Sequence, residues 1–450
     1  MLAGLHRTVG LPGAIVLGLG SMLGTGIFVS LGLVAEAAGA LILPAIVIAA
    51  ALALANARSS ARLAAVHPIS GGTYEYAFRE LSPSVGFAAG WLFLLAKSAS
   101  AATAALGLAG YVIRISSGGS PTPPGLGPPM PLALGLEPQT LLALGLVVLF
   151  TLLAAAGLRR SNQGNAVLVS VTLAGLGALV LWTARTWWVD GGLPAPSVVA
   201  DERDAWFGLP AGLLEGTALM FVAFTGYGRL ATLGEEVREP QHTIPRAVSW
   251  TVGVVTLLYL MVAAAAVTVL GTAGLAAATR STGAPLLEVA RRLPGPPPGL
   301  VPLVTLAAAT ALAGVVLNLV LGLSRVVLAM ARRGGLPRVL AHVDEHSSSP
   351  RLAVGAAGTL ITALTLVGDL YLTWSFSAFT VLVYYGITNL AALRLGPRLA
   401  PLPRWVPWAG LLSCLALATQ IEPHVMLAGT LLIALSLLLR AVFTGAAGRS

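Results

Sequence analysis

The sequence predicts an all-α polytopic membrane protein with twelve transmembrane helices. Of the 450 residues, 56% are hydrophobic and only 10% are charged, whereas a soluble protein carries about 25% charged residues. The apolar residues form long uninterrupted blocks, which would leave large hydrophobic patches on a soluble surface. These blocks lack the period-two alternation of a transmembrane barrel, so each block is expected to be a helix.

Twelve segments are long and apolar enough to cross a bilayer, which takes about 20 residues of helix. The predicted spans are 12–36, 41–57, 85–114, 139–158, 166–189, 210–234, 247–272, 300–330, 352–368, 374–395, 405–421 and 424–443. The sequence shows no short tandem repeat and no block of soluble-domain composition between them.

The distribution of basic residues orients the chain. The sequence has 25 arginines and one lysine, with a formal net charge of +9. If the N-terminus is cytoplasmic, seventeen of these residues lie on the cytoplasmic side, six lie outside and three lie within spans. Cytoplasmic loops carry the excess of basic residues, so we expect both termini to be cytoplasmic. The positive charge is then a topology signal, and we expect no nucleic-acid partner.

Glycine clusters predict that the first and sixth spans are broken in mid-membrane. The first contains Gly18, Gly20, Gly24 and Gly26, and the sixth contains Thr225, Gly226 and Gly228. Each glycine weakens a helix interior by about 1 kcal/mol relative to alanine. Helix packing through the GxxxG match Gly20 to Gly24 is the alternative for one span alone. Because the interruption recurs five spans later, a transporter built from inverted repeats is favoured.

Four segments resemble the amino acid–polyamine–organocation transporter superfamily. Residues 20–28 (GSMLGTGIF) resemble its first-span motif. Residues 68–91 resemble its connection between spans two and three, 221–246 its sixth span and following loop, and 324–337 its eighth span and loop. The resemblance is specific for the family and much less specific for the substrate.

This resemblance implies the leucine-transporter-like fold, a 5+5 inverted repeat with broken helices 1 and 6. The first repeat would comprise residues 1–190 and the second 191–398, with helices 11 and 12 and the C-terminal tail in 399–450. It also implies alternating access around a central amino acid site.

The resemblance also implies where a substrate binds. The backbone N–H groups of Gly24, Thr25 and Gly26 would hold its carboxylate. Carbonyls at or near Met22, Leu23, Val222, Ala223 and Thr225 would hold its ammonium group. The ring of Phe224 would lie against its side chain. Free helix ends in the middle of the membrane suit both charges independently of the resemblance.

Lys97 is the only lysine and is predicted to lie in mid-membrane. At 1.5 Å per residue it lies about 18 Å beyond Val85, in a core about 30 Å thick. A buried lysine can release its proton whereas arginine does not, so we expect Lys97 to titrate during transport or to replace a coupling sodium ion. The structural alternative is a lysine that snorkels or pairs with a buried carbonyl. Span five has no lysine and span eight has no adjacent Ser/Thr pair, so proton, sodium and exchange mechanisms all stay open.

The resulting interpretation is a secondary transporter in the cell membrane that moves amino acids, of neutral side chain, or related amines. The middles of spans one, three, six and eight carry no acidic side chain for a cationic substrate. We expect no enzymatic activity, no cofactor and no metal. The motif His342-Val-Asp344-Glu345-His346 is interpreted as an ordinary loop. The alternatives are an integral-membrane enzyme acting on lipid-linked substrates and an amino acid sensor that does not transport.

Overall fold

The computed structural model describes residues 9–67, 72–116, 136–157, 162–189, 205–206, 209–231, 237–344, 350–395 and 402–447. Parts of two segments that carried the family resemblance, 68–71 and 232–236, lie outside the described residues. So do Glu345 and His346 of the candidate metal motif.

The first half of the described chain is helical. Its helices are α1 (Leu11–Met22), α2 (Thr25–Phe28), α3 (Ser30–Ala38), α4 (Ile42–Val66), α5 (Thr73–Glu80), α6 (Pro83–Ser116), α7 (Pro138–Ala155) and α8 (Asn162–Val189), with a 3-10 turn at Gly39–Leu41. Two short strands, β1 (Ala205–Trp206) and β2 (Leu209–Pro210), then pair antiparallel.

The second half contains the remaining helices. They are α9 (Ala211–Phe224), α10 (Tyr227–Ala231), α11 (Pro240–Thr282), α12 (Pro285–Arg292), α13 (Leu300–Arg332), α14 (Arg351–Thr365), α15 (Leu370–Arg394), α16 (Trp405–Ala418) and α17 (Pro423–Ala447), with a 3-10 turn at Arg338–Ala341. Helix α11 is kinked at Gly271, whose φ is 70°.

Among the residues that the structure describes, each predicted span consists mainly of helix, and the protein is a multi-pass membrane protein. By length and composition, seven described helices could cross a membrane, or eight if the bent pair α16–α17 is one span. The number falls below twelve partly because spans one and two merge into one apolar stretch, Ser30–Val66. In addition, the 12-residue α1 and the 15-residue α14 are shorter than a span, and α16 and α17 meet at 116°.

Helix α6 lies at the centre of the molecule. In its most apolar window 89% of the residues are buried, and it packs against α13 and α15. Alanines and serines dominate the middle of α6, from Ala96 to Ala105, and such small side chains let membrane helices approach closely. The broken helices α1–α3 and α9–α10 pack beside this centre, with α11 against α1, α3 and α4.

Candidate functional site

The first predicted span is interrupted in its middle. Helix α1 ends at Met22, and the backbone of Leu23 and Gly24 leaves the helical region before α2 resumes at Thr25. A second interruption at Val29, with φ −130° and ψ −53°, separates α2 from α3. The prediction that this glycine-rich helix breaks is confirmed.

The interruption leaves consecutive N–H groups without an acceptor. Within the described part of the chain, no hydrogen bond uses the amides of Gly24, Thr25 or Gly26, and the next bonded amide is that of Ile27. The hydroxyl of Thr25, a residue only 4% exposed, also has no partner there. Buried N–H groups are rarely orphaned, and this break leaves three of them, with the Thr25 hydroxyl, without a partner in the ranges that the structure describes.

The sixth predicted span is also interrupted, but by a closed turn. Helix α9 ends at Phe224 and α10 begins at Tyr227. The amide of Thr225 donates to the Val222 carbonyl at 3.0 Å, and the amide of Gly228 donates to the Thr225 carbonyl at 3.2 Å. This break therefore satisfies much of its own backbone.

The two breaks touch each other through their glycines. A Cβ atom on Gly26 would lie 2.6 Å from the Cβ of Ala223, and a Cβ on Gly226 would lie 2.7 Å from Cγ of Met22. Both distances are below those that real Cβ atoms show, so each position needs glycine to let the backbones approach. The predicted site residues of the two spans are thereby brought together, and Met22, Leu23, Thr25, Val222, Ala223, Phe224 and Thr225 are all buried.

A residue that the sequence did not single out joins the two breaks. Tyr259, in the middle of α11, is completely buried. Its hydroxyl donates to the Met22 carbonyl at 2.8 Å and to the Ala223 carbonyl at 3.2 Å. Its ring packs edge-on against Phe224 at 5.2 Å between centroids. Nothing local to α11 marks this tyrosine, because its partners are backbone atoms of distant segments.

Lys97 reaches the sixth-span break. Its ammonium donates to Thr225 Oγ1 at 2.8 Å, and the same hydroxyl donates to the Val222 carbonyl at 2.7 Å. The two bonds form a relay from the Lys97 ammonium to the backbone at the end of α9. Lys97 is half-buried, whereas its neighbours Ala96 and Ser98 are buried.

Ionic contacts lie at both ends of the bundle, beyond the breaks. At one end, Arg333, which directly follows α13, contacts Glu75 of α5 at 2.7 Å. At the other end, Arg280 of α11 contacts Glu36 of α3 at 2.8 Å. Glu36 and Glu75 precede and follow α4, so the two pairs lie near opposite ends of that helix. The Arg280–Glu36 pair ties α11 to the broken first span, and the Arg333–Glu75 pair ties the end of α13 to α5.

Two cavities of about 460 and 370 Å³ flank the first half of α13, beside Trp182 and Arg291 respectively. Neither includes a residue of the breaks. The breaks are packed instead: a Cβ on Gly24 would overlap Val315 of α13.

Among the described residues, no group of three His, Cys, Asp or Glu side chains could hold a metal ion.

Comparison with known proteins shows which family the sequence matches. The amino acid permease family matches residues 13–446. An uncharacterized transporter of Mycobacterium tuberculosis is 39% identical, covering 94% of this chain and 88% of that protein. The branched-chain amino acid permease BcaP of Bacillus subtilis is 27% identical over 80% of this chain and 74% of its own. Cationic amino acid transporter 4 of Homo sapiens is 28% identical over 84% of this chain and 58% of its own.

Proposed function

Since the chain belongs to the amino acid permease family, we propose that it is a secondary transporter that carries amino acids, of neutral side chain, or related amines by alternating access. The proposal includes twelve spans in the leucine-transporter-like arrangement, with repeats 1–190 and 191–398 and an appended pair of helices in 399–450. The boundaries at 190 and 398 lie outside the described residues. It also places the protein in the cell membrane with both termini cytoplasmic.

The observation that carries the proposal is the row of unpaired donors at Gly24, Thr25 and Gly26. In the bilayer core, an unsatisfied backbone N–H group is unfavourable by several kcal/mol. Three unsatisfied N–H groups in succession, beside the Thr25 hydroxyl, are best explained by an anionic ligand that accepts hydrogen bonds from them. A carboxylate has the two oxygens and the charge that such a helix N-terminus favours.

Carbonyls near this row suit the ammonium group of the same ligand. Met22, Leu23, Val222, Ala223 and Thr225 contribute them. The carbonyls of Met22 and Ala223 meet at the Tyr259 hydroxyl, so one ammonium group could reach both. Phe224 lies beside this point through its contact with Tyr259, where it would cover the substrate side chain.

A neutral side chain fits these surroundings best. Lys97 already places a cation against the sixth-span break, which would repel a second cation. The α13 residues that face Gly24 are Ala311 and Val315, which are small and apolar. The branched-chain amino acid permease, rather than the cationic transporter, is therefore the better guide to substrate.

Uptake into proteoliposomes tests the proposal. The purified protein should give saturable uptake of at least one neutral member of a radiolabelled panel containing neutral, cationic and acidic amino acids and simple amines. Protein-free liposomes are the control. Binding of a panel member without transport would indicate a sensor, and chemical conversion of a lipid-linked substrate would indicate an enzyme. Either result would overturn the proposal.

A further inference from the structure

We propose that Tyr259 lets the carrier close and reorient without substrate, so that the protein performs net transport and is not restricted to exchange. This inference rests on the proposed function, because it concerns the carbonyls assigned above to the substrate ammonium. It assigns a role to a residue that belongs to neither broken helix.

The geometry of Tyr259 is that of an internal replacement for an ammonium group. Its hydroxyl lies within hydrogen-bond distance of one carbonyl from each break, Met22 at 2.8 Å and Ala223 at 3.2 Å. A neutral phenol has one proton, which it shares between the two acceptors. The protein thus supplies its own donor to the two carbonyls that a substrate would otherwise satisfy.

The space for this hydroxyl is reserved by a glycine. A Cβ on Gly26 would lie 2.6 Å from the Tyr259 hydroxyl oxygen, so any larger residue would displace it. The ring is held from its other side by Phe224. Two elements thus fix the hydroxyl where spans one and six meet, and Tyr259 is completely buried there.

The consequence concerns the step in which a carrier returns without substrate. Closing the two breaks over bare carbonyls is unfavourable, because a buried acceptor without a donor loses its hydration and gains nothing. An obligatory exchanger would be expected where only the substrate can supply the missing donors. With Tyr259 in place, the Met22 and Ala223 carbonyls have a donor in the closed form with or without substrate. Their contribution to the barrier against return without substrate is thereby removed.

The test compares net efflux with exchange in proteoliposomes loaded with the labelled amino acid that the uptake panel identifies. Efflux into substrate-free buffer measures net transport, and efflux into buffer containing the unlabelled amino acid measures exchange. We expect the wild type to show both. We expect Tyr259→Phe to slow net efflux about tenfold, as loss of one buried hydrogen bond predicts, while exchange stays within about twofold because the substrate ammonium then supplies the donors.

Tyr111→Phe is the matched control. Tyr111 is also completely buried and its hydroxyl donates to a span-one carbonyl, that of Phe28, at 3.1 Å, but it does not join the two breaks. We expect it to keep the wild-type ratio of net efflux to exchange. An equal loss of both activities in Tyr259→Phe would overturn the inference.

If Tyr259→Phe does not fold, net efflux and exchange by the wild type alone still test the role of Tyr259. Exchange without net efflux in the wild type would contradict the role of Tyr259 and leave the transporter assignment intact. A wild type with neither activity would instead contradict the proposed function itself.

Discussion

The two broken helices contact each other at their interruptions, but the backbone groups of the two breaks are satisfied differently. The first-span break leaves the amides of Gly24, Thr25 and Gly26 without acceptors. The sixth-span break is a turn whose Thr225 amide is bonded and whose Thr225 hydroxyl accepts from Lys97. One break therefore offers bare donors, whereas the other is occupied by side chains of its own protein.

In the proposed site, this difference means that the two charges of an amino acid meet different conditions. The amides without acceptors are free to bind a carboxylate, since the neighbouring helix end stabilises negative charge. The carbonyls, in contrast, are held by Tyr259, so an ammonium group must compete for them. We infer that the carboxylate contributes most of the substrate's binding affinity. The ammonium group contributes less, because it must replace the Tyr259 hydroxyl at the two carbonyls in the closed form.

The largest expected effect comes from separating the two breaks. In Gly26→Ala the new methyl group would collide with Ala223 and with the Tyr259 hydroxyl. We expect uptake to fall about 100-fold, since displacements of about 1 Å at a site have effects of this size. Uptake by the purified variant in proteoliposomes measures it.

Gly253→Ala is the control for that change. A Cβ at Gly253, on α11, would meet no atom within 4 Å, so uptake should stay close to that of the wild type. Equal activity of the two alanine variants would show that the close approach of the breaks is unnecessary.

The second effect concerns the cation at the sixth-span break. Lys97→Ala removes the donor to Thr225 and should lower the rate of uptake about tenfold, because a hydrogen bond from a charged group contributes about 1.5–3 kcal/mol.

Lys97→Arg keeps the charge but cannot release a proton. If Lys97 titrates during transport, uptake measured over a pH series should vary with pH in the wild type and become flat in Lys97→Arg. Unchanged rates and pH profiles in both variants would remove Lys97 from the mechanism.

A smaller effect is expected from the partner hydroxyl. Thr225→Val keeps the shape of the side chain and removes both bonds of the relay, so uptake should fall about fivefold. Combined with Lys97→Ala it should have little further effect, because the two residues act through one contact. Fully additive losses in the double variant would mean that they act separately.

The smallest effect is expected from the other side chain at this break. The Tyr385 hydroxyl lies 3.4 Å from the Thr225 carbonyl, a long and weak contact. Tyr385→Phe should change uptake by less than about twofold. A loss as large as that of Lys97→Ala would assign the stabilisation of this break to Tyr385 instead.

The positions of the breaks could be predicted because they are local. Glycines at 24, 26 and 226 weaken their own helices, and their density in two apolar blocks is visible in the sequence. The all-helical membrane fold followed equally from the lengths of the apolar blocks. The position of Lys97 within a long apolar helix followed from the same block.

The partners across the bundle could not be predicted. Tyr259 contacts Met22, which lies 237 positions away, and Lys97 contacts Thr225, 128 positions away. A tyrosine within an apolar helix is unremarkable until the packing of three spans brings carbonyls to its hydroxyl. Likewise, the turn that closes the sixth-span break depends on the backbone path from Val222 to Gly228, which the glycine content leaves undetermined.

The central claim is that the amides of Gly24, Thr25 and Gly26 hold a carboxylate, and competition for uptake tests it most directly. The competitors are the preferred amino acid, its carboxamide and its decarboxylated amine, each tested against the labelled amino acid in proteoliposomes. The account predicts that only the compound with a free carboxylate competes at concentrations near its own half-saturation. Equal competition by the carboxamide and the amine would contradict it.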